Sequence, residues 1–173
     1  ISDVVTYNFD DVLEWYLNLY GYVIDVVTDP LALTKNVDVR IFHPHGFLPF
    51  NEEFEKKFPE AGTVVFDETS FNQRIGNKSD SSWRKRLEIL LSTKKAIFIG
   101  LSGEDPTFGP MLDSVSSGVS SRDIIGYWFK KGPEDLDENL SFKNNKILPI
   151  YIEDYGEIPK FLLEVSQIAS KKN

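Results

Sequence analysis

Three short stretches of this 173-residue chain carry the residue types that could do chemistry. Asn8 lies in Thr6-Tyr7-Asn8-Phe9-Asp10, the only two histidines lie in His43-Pro44-His45-Gly46, and a serine lies in Gly100-Leu101-Ser102-Gly103 with Asp105 close behind. A side-chain amide donates and accepts at once, so Asn8 could hold a water or a ligand amide in line with a reacting carbon. An imidazole has an unperturbed pKa of about 6.5 and can take up a proton near neutrality, which suits His45 to general-base work. Ser102 and the amides around Gly100 could meet sugar or phosphate oxygens where a helix starts. The pattern His43-x-His45 could instead put two imidazoles on one face of a strand to hold a metal. Pro44 breaks that geometry, the chain has no third histidine, and carboxylates would have to complete such a site.

Each of these residues also has a plainer reading. Asn8 could simply close an Asx-turn, Asp10 and Asp11 are ordinary acids for the first turn of a helix, and Asp105 is an N-cap. His43 reads as a half-buried strand residue rather than a catalyst. Gly100-Leu101-Ser102 could be only the turn that an α/β unit needs. Trp15, Tyr16 and Trp83, on helical segments, read as core.

The elements that would position the three stretches alternate along the chain. Val4, Val5 and Thr6 suit a strand, and the segment from Asp10 to Leu17 has acids first and apolar residues at helical spacing. Gly21 offers a helix stop, residues 22–27 read as a strand, and the strand beginning at Val39 should end near Phe42 or His43 because proline cannot donate to a ladder. Residues 47–61 read as loop with a helical turn. Residues 63–66 read as a strand, followed by a helix capped by Asp67 or Thr69 and running to Ile75. A helix over 82–91 should bury Trp83, Leu87, Leu90 and Leu91. The apolar run 96–99 resembles a strand buried on both faces. A helix from Asp105-Pro106 to about Val115, a small-residue linker over 116–121, strands at 124–129 and 147–152 and a closing helix from Pro159 complete the pattern. Such alternation predicts one α/β domain over 1–173, a Rossmann-like three-layer sandwich with a mostly parallel sheet. All three chemical stretches then fall just past the carboxyl ends of strands, the edge where open α/β sheets bind ligands.

Composition narrows the function classes. The chain is 41% hydrophobic, enough for a packed core, and its 19 basic against 27 acidic residues give a net charge of −8, which argues against binding nucleic acid as its main activity. No apolar run reaches membrane-spanning length, and no cysteine is present for disulfides or thiolate zinc sites, in keeping with a cytoplasmic protein.

Taken together, Thr6-Tyr7-Asn8-Phe9-Asp10, His45-Gly46 and Gly100-Leu101-Ser102 with Asp105 resemble the sirtuin superfamily over residues 4–112. The pattern is most similar to the bacterial sirtuin-like branch of antiphage-defence proteins that hydrolyse NAD, which runs Thr-x-Asn-Tyr-Asp, then His-Gly, then Gly-x-Ser-x-x-Asp. Phe9 stands here in place of the tyrosine. The resemblance implies NAD as substrate, with Asn8 and His45 catalytic and Thr6, Phe9, Asp10, Gly46, Gly100, Leu101, Ser102 and Asp105 binding the nucleotide. Sirtuin deacylases carry four zinc-binding cysteines, so the resemblance implies hydrolysis without zinc rather than deacylation. The family also wraps the NAD diphosphate with a glycine-rich loop after its first strand. No such loop precedes Asn8, and the chain is therefore expected to be a fragment lacking its first βα unit. Other readings are a non-catalytic module that binds NAD or an ADP-ribose derivative to control a fused sensor or effector domain or a homo-oligomer, and a metal hydrolase.

Overall fold

The computed structural model describes residues 1–33, 35–57, 64–65, 81–101, 108–118, 120, 123–134 and 142–170. They fall into two compact units, Ile1–Leu87 and Glu88–Asn173. In the first, strands β1 (Asp3–Val5), β2 (Ile24–Val27) and β3 (Val39–Phe42) form a parallel sheet of order β1-β3-β2. β3 is central and short because Pro44 follows it, and it pairs Val5 with Phe42 on one side and Val27 with Phe42 on the other. Helix α1 (Val12–Leu19) ends where Gly21, at φ +81°, takes a left-handed conformation and donates its N–H to the Asn18 carbonyl. Leu17 of α1 and Phe54 of the short helix α2 (Glu52–Lys57) pack with Ile24, Val39 and Ile41 into the core of this unit. Across the central strand, Arg40 makes a paired salt bridge to Asp3, at 2.6 and 3.1 Å, while Asp25 is held by Lys35.

Helix α3 (Ser82–Thr93) buries Trp83 and Leu87 as its spacing predicts and leaves Leu90 and Leu91 half-buried. In the second unit β4 (Ala96–Phe98), β5 (Gly126–Lys131) and β6 (Ile147–Ile152) form a second parallel sheet of order β4-β5-β6. Pro149 sits in β6, which among the described residues pairs only with β5, so that its missing N–H costs little. Gly126 is required by contact, since a Cβ there would lie 2.2 Å from the Ala96 carbonyl oxygen on the paired strand. Phe98, Phe108, Trp128 and Phe142 pack ring against ring around β5, and Phe108, which opens helix α4 (Phe108–Gly118), meets both Phe98 and Trp128 edge to face. Helix α5 (Ile158–Ser170) lays Ile158 and Leu162 on Phe129 and Ile152. A one-turn 3-10 helix (Tyr155–Glu157) leads into it, opened by a capping box between Asp154 and Glu157.

Parallel strands with flanking helices make this an α/β, Rossmann-like arrangement. Among the described residues the strands form two parallel ladders, β1-β3-β2 in the first unit and β4-β5-β6 in the second. Three sequence expectations need correction. The run 96–99 is not buried on both faces: Ile97 and Ile99 are exposed, and among the described residues β4 pairs only with β5. Helix α4 continues through Ser116, Ser117 and Gly118, which composition had suggested were linker, with the Ser116 and Ser117 hydroxyls bonded back to carbonyls one turn earlier. Val64 and Val65, the described part of the expected strand at 63–66, are not in a strand; Val65 donates its N–H to the His45 carbonyl. The helix expected to run to Ile75 lies outside the described residues.

Candidate functional site at the carboxyl ends of β1 and β3

Because β1 and β3 are parallel neighbours in register, both chains leave the sheet at the same edge. The Thr6 N–H still donates to the Phe42 carbonyl at 3.0 Å, and beyond that bond the two segments diverge into loops. One loop carries Asn8 and the other His45, so the sheet brings to one edge the two residues expected to act together.

Asn8 is exposed, and the hydrogen bonds that order it run through its backbone. Its N–H donates to Thr6 Oγ1 at 3.1 Å, and its carbonyl accepts from His43 Nδ1 at 3.0 Å. Thr6 is therefore a scaffold for Asn8. The carbonyl of Phe9 accepts from Leu48 N–H, which ties this loop to the one after Gly46. Asp10 Oδ1 accepts from Val12 N–H and so helps start α1, as its plainer reading has it. Asp11 is buried and does more than an ordinary first-turn acid: its Oδ2 accepts from the N–H groups of both Phe50 and Asn51, at 3.0 and 2.8 Å.

His43 is the residue whose position the sequence reading misjudged. It is 0% exposed, not half-buried, and both ring nitrogens are engaged. Nδ1 holds the Asn8 carbonyl, and Nε2 lies 2.6 Å from Oε1 of Glu14, which is itself 0% exposed on α1. With both nitrogens taken by protein groups, His43 cannot join His45 in ligating a metal through the expected pair. Its own carbonyl accepts from Gly46 N–H, closing the turn that presents His45. Gly46 sits at φ +99°, a conformation that a residue with a Cβ rarely adopts. His45 is partly buried, with its ring 4.8 Å from that of Tyr7. Phe47 packs its ring 4.6 Å from that of His43.

Glu14 was missed because an acid within a helix ordinarily marks the solvated face. The reverse holds in α1: Glu14 faces inward, while Trp15 and Tyr16, read as core, are 44% and 48% exposed. The clue in the sequence was the coincidence of a histidine at a strand end with an acid one turn into the helix after the neighbouring strand.

Of the remaining expected residues, Gly100 and Leu101 follow β4 in the second unit, and Gly100 adopts φ +70° as the tight turn requires. Ser102 and Asp105 lie outside the described residues. No helix among the described residues is long and apolar enough to cross a membrane. No group of three or more His, Asp or Glu among them is placed to hold a metal ion.

No curated protein sequence matches the chain significantly. A family model does: that of the SIR2-like domain matches residues 2–150, the greater part of the chain and the whole of the edge described above. SIR2-like domains use NAD, and the family includes NAD-dependent enzymes. The chain thus belongs to the SIR2-like domain family, and its function is related to NAD.

Proposed function

We propose that this edge of the first unit cleaves the bond between nicotinamide and ribose in NAD, releasing nicotinamide and ADP-ribose. The observation that carries the proposal is the convergence of Asn8 and His45 just past the carboxyl ends of two parallel strands, in a chain of a family that uses NAD. Nicotinamide leaves a cationic pyridinium as a neutral base, so the bond's electron pair departs with the ring nitrogen and no acid is needed to protonate it. What the reaction requires is an oriented water, a place for one proton and stabilisation of an oxocarbenium-like ribose.

In this reading the Asn8 amide orients the water or the nicotinamide carboxamide, its backbone fixed from both sides. His45 accepts the proton that the attacking water loses, so that NAD and water give nicotinamide, ADP-ribose and a proton. Asp10 lends negative charge near the ribose. Phe9 and Gly46 line the nucleotide, and for Gly100, Leu101, Ser102 and Asp105 a nucleotide-binding role is proposed from the family pattern alone. Thr6, proposed from the family pattern to bind nucleotide, serves it through Asn8. The 173 residues contain no cysteine for a thiolate zinc module, which favours hydrolysis over deacylation. The setting proposed is antiphage defence in the cytoplasm, where loss of NAD halts the host.

Incubating the intact protein with NAD and separating the products by chromatography tests the activity. Stoichiometric nicotinamide and ADP-ribose are expected. Binding of NAD without turnover would replace the hydrolase with a nucleotide-sensing module, and neither binding nor turnover would reject both.

A further inference from the structure

The buried Glu14–His43 pair has a geometry that the proposed chemistry leaves unused. A backbone carbonyl can only accept, so the 3.0 Å contact to the Asn8 oxygen places a proton on His43 Nδ1. The 2.6 Å contact between Nε2 and Glu14 Oε1 then holds one more proton, carried either by the imidazole or by the carboxyl. The result is a strut of fixed length from α1 through His43 to the peptide of Asn8. The same residue's carbonyl, bonded to Gly46 N–H, fixes the turn that carries His45.

The pair is a poor device for stability. Both side chains are fully out of water, and Glu14 Oε2 has no hydrogen-bond partner among the described residues. A buried carboxyl oxygen left unmatched is costly, and apolar groups of similar volume often replace such pairs at no loss. What apolar groups could not supply is a directed hydrogen bond to the Asn8 carbonyl.

We infer that Glu14 and His43 are positioning residues: they set the orientation of the Asn8 peptide and, through it, the direction in which the exposed Asn8 amide meets its ligand. This rests on the NAD-cleavage reading for its kinetic consequence, although the positioning itself can be measured without turnover.

Two variants of the intact protein separate the roles. Glu14→Gln keeps the strut, because the glutamine amide can donate to an unprotonated Nε2 while Nδ1–H still holds Asn8. The double variant Glu14→Leu with His43→Phe keeps the volume and removes the strut without leaving a buried charge unpaired. In the double variant we expect a melting temperature equal to or above that of wild type, and displaced Asn8 amide resonances in the proton–nitrogen NMR spectrum. Its kcat for NAD should fall at least about tenfold while KM changes by less than about threefold, the pattern of lost orientation. Glu14→Gln should stay within about threefold of wild type in both constants. A lower melting temperature or failure to fold in the double variant would make the pair structural and overturn the inference, as would unshifted Asn8 resonances or an unchanged kcat. A Glu14→Gln enzyme as slow as the double variant would assign the effect to the acid's proton, which also overturns it. If wild type does not cleave NAD, the proposed activity fails, and the Asn8 resonances still decide whether the strut positions that residue.

Discussion

Replacing His43 with alanine is the perturbation for which the structure and the bare sequence give opposite answers. A half-buried strand residue would tolerate it. The structure instead places three losses at this position. The bond to the Asn8 carbonyl disappears, the ring contact with Phe47 is replaced by a void, and Glu14 remains at 0% exposure without its partner. Removing one member of a buried pair costs about 3–5 kcal/mol, because the other charge stays behind unpaired. The void and the lost hydrogen bond add to that, the latter by ~1 kcal/mol. Against a typical total stability of about 5–15 kcal/mol, His43→Ala should approach or cross the threshold of unfolding. Urea unfolding of the intact protein, followed by tryptophan fluorescence, measures it, with the midpoint expected to fall sharply. Adding Glu14→Leu to His43→Ala should recover much of the loss. A single variant within about 1 kcal/mol of wild type would refute the claim that the pair is buried and mutually dependent.

Other perturbations follow from particular contacts. Asp11→Ala removes the acceptor for two backbone N–H groups, and the Phe50 and Asn51 amides should exchange with solvent markedly faster, with stability lowered by about 1.5–3 kcal/mol. Gly126→Ala must push β5 away from β4 to relieve its contact with the Ala96 carbonyl, and a loss of at least about 1–3 kcal/mol is expected in chemical denaturation. Asp154 has its carboxyl held below the usual carboxylate pKa by the Gly156 N–H, by the Lys131 side chain and by that ammonium's charge. Its folded value lies below the ordinary one, so its contribution to stability is present above the ordinary carboxylate range and is lost as pH falls through the depressed value. NMR titration of Asp154 should show the low value in wild type and a rise toward normal in Lys131→Ala.

Much of the fold was legible because a few residues leave little choice. Pro44 stops β3, Gly21 ends α1, and the apolar run at 147–152 matches β6 from Ile147 to Ile152. That Asn8 and His45 share one edge was legible because each follows a strand-like run immediately, and parallel pairing carries both segments out of the sheet on the same side. Glu14 and Asp11 were not legible in the same way. Their burial depends on partners 29 and 39 or 40 residues away, and local periodicity treats an acid in a helix as solvated. For the same reason Trp15 and Tyr16 read as core although the helix turns its polar Glu14 inward. The apolar run in β4 could not reveal that Ile97 and Ile99 stay exposed with β5 as the strand's one partner among the described residues, since strand order is set by pairing and not by composition.

The most direct test of the central claim is nicotinamide release from NAD by the intact protein, measured alongside NAD binding for wild type, Asn8→Ala and His45→Ala. The account predicts release by wild type, at least about a hundredfold less by His45→Ala with binding retained, and a comparable loss in Asn8→Ala. Unchanged release in both variants, or none from wild type that binds NAD tightly, would contradict it.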